Sequence, residues 1–195
     1  KAFEITTRKI HTFSNDECEF GYRDSIFKKK LKGKFIILSA CFSLQKFPHS
    51  IDISYGAINS QLADKLATIQ NIAEAVIAIR LSKLPNPKKI GNSGSFFKNP
   101  IITLNDFKKL HKTFPKLPHY PSKEGFVKIP AGWIIESLGF KGIREGDAGV
   151  HEKQALVLVN YGTASGIQIL GLAKQIQKAA LDKFGVSLET EVNIL

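Results

Sequence analysis

Apolar positions recur along this chain at two spacings. From Ile69 they fall at Ile69, Ile72, Ala73, Val76 and Ile79, the three-and-four spacing of a helix face, with Thr68 placed to cap the first turn and Pro85 and Pro87 to end it. The same spacing returns at Ile169, Leu172, Ala173, Ile176 and Ala180, opened by a Ser165–Gln168 capping-box pair and closed at Gly185. Pro130 and Gly139 bracket a further helix, proline where its missing N–H costs nothing and glycine where the chain turns left-handed. A short basic helix is predicted around Phe107 to Phe114. Strands are predicted over Ala2 to Thr7, Lys34 to Gln45 and Ala155 to Val159, which are rich in β-branched or other apolar residues. The final segment alternates: Val186, Leu188, Thr190, Val192 and Ile194 face one side, while Ser187, Glu189, Glu191 and Asn193 face the other. Strands mixed with helices at irregular intervals predict an α+β fold.

The stretch Leu84-Pro85-Asn86-Pro87-Lys88-Lys89 is the best linker, because two prolines hold an extended connection. It divides the chain into residues 1–88, a second domain over 89–185, and a strand over 186–195 returning to the first part. With 195 residues and 43% hydrophobic content there is enough for a packed core. The longest nearly apolar stretch, Phe35 to Leu44, is roughly half the ~20 residues of a membrane helix. Lys1 in place of Met predicts that the chain begins inside a longer protein. Two distant cysteines, Cys18 and Cys41, outside any CxxC pattern, fit a reducing compartment.

The net charge of +11 favours an anionic partner. A nucleic-acid-binding module is the competing reading, but neither an RNP-type motif nor a helix-turn-helix pattern appears. The lysine run from Phe27 to Lys34 reads as a solvated turn before a strand. In Gly91-Asn92-Ser93-Gly94-Ser95-Phe96-Phe97-Lys98-Asn99-Pro100, glycines and small hydroxylated residues allow N–H groups to converge on an anion beside Lys98. The other reading of that passage is a tight loop with Phe96 and Phe97 in the core. Arg23 stands between Tyr22 and Asp24, a setting for a carboxylate-bearing ligand or for a plain surface ion pair. Of five histidines none has the spacing of a metalloprotease helix, and His151-Glu152 is a partial match only. No metal site is predicted.

These passages occur in an order that resembles the UDP-N-acetylenolpyruvoylglucosamine reductase (MurB) family. They are Phe20-Gly21-Tyr22-Arg23-Asp24-Ser25-Ile26-Phe27, Lys83-Leu84-Pro85-Asn86-Pro87, Gly94-Ser95-Phe96-Phe97-Lys98-Asn99-Pro100, Pro130-Ala131-Gly132-Trp133-Ile134-Ile135-Glu136, Gly149-Val150-His151 through Gln154-Ala155-Leu156-Val157-Leu158, and Leu188-Glu189-Thr190-Glu191-Val192. The resemblance implies the later part of a flavin-binding domain followed by an α+β substrate-binding domain. It implies reduction of UDP-N-acetylglucosamine enolpyruvate to UDP-N-acetylmuramate with FAD and NADPH, in the bacterial cytoplasm, with no nucleic-acid or membrane partner. By the same resemblance Arg23, Ser95 and Glu191 are the catalytic residues: Arg23 supports the developing enolate, Ser95 delivers a proton and Glu191 stabilises or relays charge. Tyr55, Lys83, Asn99, Tyr120 and Gln154 match positions that hold the uridine, diphosphate or sugar. Nothing here resembles the family's glycine-rich FAD loops, and Asn193 stands where the family often has a basic residue.

Overall fold

The computed structural model describes residues 1–48, 50–54, 57–63 and 65–194, which divide into two compact units, Lys1–Ser50 and Ile51–Leu195. Tyr55 and Gly56 lie outside the described residues.

The first unit is built on a three-stranded antiparallel sheet, β1 (Ala2–Glu4), β2 (Ile10–His11) and β3 (Phe35–Ile37), in the order β2-β1-β3. Between β2 and β3 the chain makes a turn and a single 3-10 turn, Ile26–Lys28. Phe13 meets Phe27 and Phe35 edge-on, at centroid distances of 5.0 and 5.4 Å. The predicted strand from Lys34 to Gln45 is much shorter than its composition implied. β1 offers only three partners, so pairing stops at Ile37, and Phe42 and Leu44 are about four-fifths exposed. The lysine run forms a solvated turn, as read from the sequence, closing through Gly33 at φ 74° into β3.

The second unit begins with α1 (Ile58–Leu62) and α2 (Ile69–Lys83). Thr68 caps α2, its hydroxyl accepting from the Asn71 N–H at 3.1 Å, and the helix stops two residues before Pro85. Its predicted apolar face is only partly used. Ile72, Val76 and Ile79 pack beside a small core of Ile58, Leu62 and Ala75, while Ile69 is more than half exposed.

The main core follows. In chain order come β4 (Gly91–Ser95), β5 (Ile101–Thr103), α3 (Leu104–Thr113), β6 (Tyr120–Pro121), β7 (Phe126–Lys128), α4 (Ala131–Ser137), β8 (Arg144–Glu145), β9 (Ala148–Val150), β10 (Val157–Asn160) and α5 (Gly166–Phe184). One sheet runs β4-β10-β9-β8 and another β5-β7-β6, all antiparallel. α5 lies on one face of the first sheet, where Leu172, Ala173, Ile176 and Ala180, predicted from their spacing, meet Ala148, Val150 and Leu158. Its ends match the sequence too: the Ser165–Gln168 capping box is formed, and Gly185 turns left-handed at φ 64°. The fold is α+β.

Two differences concern the site. Gly91 to Ser95, read as a loop, is strand β4, because β10 lies alongside to take its backbone groups. The segment after Gly185 is extended but forms a single isolated bridge, Phe97 with Thr190, rather than a strand. Burial alternates as predicted from Val186 to Glu189. It fades further on, where Ile194 is half exposed.

Glycine is required at Gly149 on β9. A Cβ there would stand 2.8 Å from the Ile143 carbonyl oxygen and 2.8 Å from Tyr161 Cε2, and that ring is held by the Arg144 guanidinium 4.5 Å from its centroid. The carbonyl cannot step aside without breaking the β8–β9 hairpin. Gly149→Ala is therefore expected to destabilise the chain by about 1–3 kcal/mol, read as a lower urea midpoint at unchanged slope.

Candidate functional site

Ser95 ends β4, half-buried and directly opposite Val157 of β10. Its hydroxyl makes no hydrogen bond to another described residue. The next two residues, Phe96 and Phe97, are buried and meet edge-on at 5.2 Å, so the core fixes the end of the strand. Of the two readings of this passage, the buried-aromatic one holds. The backbone groups are used within the fold: the Gly94 N–H donates to Asn92 Oδ1 at 3.1 Å and the Phe96 N–H to the Leu156 carbonyl at 2.8 Å.

The terminal segment is joined to this strand end. The Glu191 N–H donates to the Phe96 carbonyl at 2.8 Å, and the Lys98 N–H to the Glu189 carbonyl at 2.9 Å. These two bonds flank the Phe97–Thr190 bridge, the pattern of a non-hydrogen-bonded antiparallel pair. The register thus sets Glu191 opposite Phe96 and Glu189 opposite Lys98. Ser95 and Glu191, 96 positions apart in the chain, come to neighbouring places in one ladder. The Lys98 ammonium, which the sequence offered to an anion, lies 3.0 Å from the Glu189 carboxylate.

Asn99 and Gln154 both reach the start of α4. Asn99 Oδ1 accepts the Ala131 N–H at 3.0 Å, so the amide group that remains to a ligand is Nδ2. Gln154 Oε1 lies 3.7 Å from where a Gly132 Cβ would be, and it accepts the Leu156 N–H at 3.4 Å. Leu156 in turn binds Phe96 through its carbonyl, so hydrogen bonds run from Gln154 through Leu156 and Phe96 to Glu191.

His151 belongs to the same turn. Its N–H donates to the Val157 carbonyl at 2.9 Å, which places Ser95, Val157 and His151 in a row across one face of the sheet. It is buried, its Nδ1 has no partner among the described residues, and burial lowers its pKa, which keeps the imidazole neutral. The sequence marked His151 only as a partial metal motif. No cluster of metal-ligating side chains occurs among the described residues.

Of the other predicted residues, Tyr120 and Lys83 are not joined to this network among the described residues. Tyr120 is on the edge strand β6, half exposed and opposite Lys128. Lys83 is the exposed last residue of α2. Arg23 belongs to the first unit, in a tight turn closed by bonds of 3.0 and 3.2 Å between Gly21 and Asp24. There it adopts φ 55°, in the left-handed region uncommon for a residue with a side chain. The Asp24 carboxylate pairs with Lys29, which lowers its pKa. Tyr55 lies outside the described residues.

Comparison with known proteins gives the class first. The family described as UDP-N-acetylenolpyruvoylglucosamine reductase, C-terminal domain, matches residues 86–195, which hold β4 to β10, the main core and the Ser95–Glu191 ladder. UDP-N-acetylenolpyruvoylglucosamine reductase of Flavobacterium johnsoniae is 53% identical over 197 residues, covering 100% of this chain and 58% of the relative. The reductases of Pseudomonas putida and Chromobacterium violaceum are 45% and 48% identical, covering 99% and 94% of this chain but 57% and 54% of their own lengths. A crystal structure of the Thermus caldophilus enzyme aligns over 64% of this chain and 33% of its own, at 26% identity and a TM-score of 0.40. The chain belongs to the UDP-N-acetylenolpyruvoylglucosamine reductase family, and it spans little more than half the length of these curated relatives.

Proposed function

We propose that this chain supplies the substrate site and the proton donor of a flavoenzyme that reduces UDP-N-acetylglucosamine enolpyruvate to UDP-N-acetylmuramate during peptidoglycan synthesis in the bacterial cytoplasm. The observation that carries the reading is the ladder that brings Glu191 opposite the residue after Ser95 while Asn99 and Gln154 both reach the start of α4. Residues 1–88 are assigned to the flavin-binding part, 89–185 to the nucleotide-sugar domain and 186–195 to the return segment. Two clusters of buried residues, one around Ile58, Leu62 and Ala75 and one spanning Phe96 to Leu188, lie on either side of Pro87 within the second compact unit.

A bound flavin reduced by NADPH would supply the hydride for C3 of the enolpyruvyl group. The described residues do not complete a site for that cofactor. Its pyrophosphate needs free N–H groups at a glycine-bearing turn. At the glycine-bearing loop before α5, the Thr163 N–H donates to the Asp147 carboxylate at 2.8 Å, and the Gly162 and Ala164 N–H groups donate to Asn160 Oδ1 at 3.0 Å each. Those N–H groups are already taken by protein acceptors and do not form such a cradle.

At the substrate, negative charge builds on C2 and its carboxylate as C3 gains hydride. By the family resemblance Arg23 supplies a cation for that carboxylate, Ser95 gives its hydroxyl proton to C2, and Glu191 stabilises the proton transfer. Hydride at C3 and proton at C2 saturate the double bond. Asn99 and Gln154 offer amide donors, Lys83 a charge for the diphosphate, and Tyr55 and Tyr120 aromatic faces.

A calorimetric titration of this chain with UDP-N-acetylglucosamine tests the reading. Weak binding that falls with salt is expected, since the diphosphate charge is screened. Gln154→Ala is expected to weaken it about tenfold, the worth of one hydrogen bond to a charged ligand. Equal affinity in the variant, or no heat at all, contradicts the assignment.

A further inference from the structure

We propose that Lys28, Lys29 and Lys30 are positioning residues that hold the turn carrying Arg23 in one conformation; this rests on the reading above, in which Arg23 supplies a cation for the enolpyruvyl carboxylate. Arg23 is the third residue of the turn from Gly21 to Asp24, closed by bonds of 3.0 and 3.2 Å between those two residues. Its φ of 55° is the kind of value that this place in a turn ordinarily takes from glycine or asparagine. In any other residue the left-handed conformation crowds Cβ against the carbonyl that follows, so the turn left to itself drifts towards negative φ. Rotation about N–Cα re-aims the Cα–Cβ bond, and the guanidinium at the end of the side chain moves furthest.

Consecutive lysines tie down successive points of this loop. The Ile26 N–H closes its base on the Cys18 carbonyl at 2.9 Å, and the 3-10 turn Ile26–Lys28 brings the lysine run back to it. Lys28 Nζ donates to the Arg23 carbonyl at 3.0 Å, the Lys29 ammonium pairs with the Asp24 carboxylate, and the Lys30 ammonium meets the Glu19 carboxylate at 3.0 Å. Glu19 is also left-handed, at φ 46°, so each left-handed residue of the loop has a lysine on it. Lys29 and Lys30 are exposed, and ion pairs so open to solvent add little to global stability. Their use is local, in fixing the turn. Arg23 has other contacts, among them the Tyr22 ring 6.0 Å from Cζ, so the lysines are not its sole anchor: they set where the turn places its backbone. The run could instead draw in an anionic substrate by charge alone. Lys32 separates the two uses, since its ammonium has the same charge and no hydrogen bond or ion pair among the described residues.

The test uses the full-length protein. Lys28→Met is expected to slow reoxidation of the reduced flavin by saturating substrate about tenfold, the effect of a modest misplacement. Lys28→Arg, which keeps a charged donor, stays within about threefold of the parent. Lys29→Met and Lys30→Met each cost about threefold, as exposed pairs do, and either one at the parent rate strikes that residue from the set. Lys32→Met stays within about twofold. In an Arg23→Ala background Lys28→Met costs less than about twofold more, because a residue that acts through Arg23 has nothing left to position. Exchange of the Asp24 amide hydrogen, which closes the turn on Gly21, speeds up in Lys28→Met and not in Lys32→Met. Equal losses in Lys28→Met and Lys32→Met, or a tenfold loss that persists in the Arg23→Ala background, overturn the proposal. Should Arg23→Ala by itself leave reoxidation unchanged, the reaction reading fails, and exchange at Asp24 alone then decides whether the lysines hold the turn.

Discussion

The 195-residue chain, purified by itself, is expected to stay colourless after incubation with FAD and desalting, and to leave NADPH unoxidised. A flavin is retained when its pyrophosphate meets a cradle of N–H groups and its ring is held in a pocket. The loop before α5 has its N–H groups committed to Asp147 and Asn160. The turn at Gly21 to Asp24 is closed by its own backbone bonds. The relatives that carry the reductase name are longer, the chain covering 58% of the Flavobacterium johnsoniae protein. A visible spectrum checks the claim: stoichiometric flavin with NADPH oxidation would overturn it.

Helices α2 to α5 were legible in the sequence to within a few residues because their signals are local, whereas α1, which has no side-chain cap, was not predicted. Thr68, Ser165 and Gly185 act on neighbours three or four positions away, and each performs the role its residue type predicts. Strand extents were less legible, since a strand is as long as its partner allows. Lys34 to Gln45 has the composition of a long strand and pairs over three residues. Gly91 to Ser95 has the composition of a loop and is a strand, because β10 lies beside it.

The site divides the same way. Ser95, Asn99, Gln154 and Glu191 were named by motif, and composition alone gave no hint that Glu191 would bond to the residue after Ser95 or that Asn99 would spend its oxygen on α4. Those are contacts between positions 32 and 95 residues apart, set by packing of Phe96 and Phe97 into the core. His151 was undervalued, because burial rather than neighbours in the chain makes it unusual. The +11 charge pointed to an anionic ligand without locating it, and the Lys98 charge is spent on Glu189.

Ser95→Ala in the full-length protein tests the central claim most directly. The hydroxyl is half-buried at the end of β4, makes no hydrogen bond to another described residue, and lies beside the Glu191 ladder, so it is placed to give up a proton and then regain one. Removing one oxygen leaves Phe96, Phe97 and the β4–β10 pairing untouched, so the fold and the flavin half-reaction have no reason to change. The measurement is stopped-flow absorbance at the flavin band, taken separately for reduction by NADPH and reoxidation by UDP-N-acetylglucosamine enolpyruvate. Reduction is expected to keep its parent rate, while reoxidation falls by about 10²–10⁴-fold, the usual worth of a positioned general acid. A reoxidation rate within about tenfold of the parent, with reduction also unchanged, would contradict the role of Ser95 as proton donor.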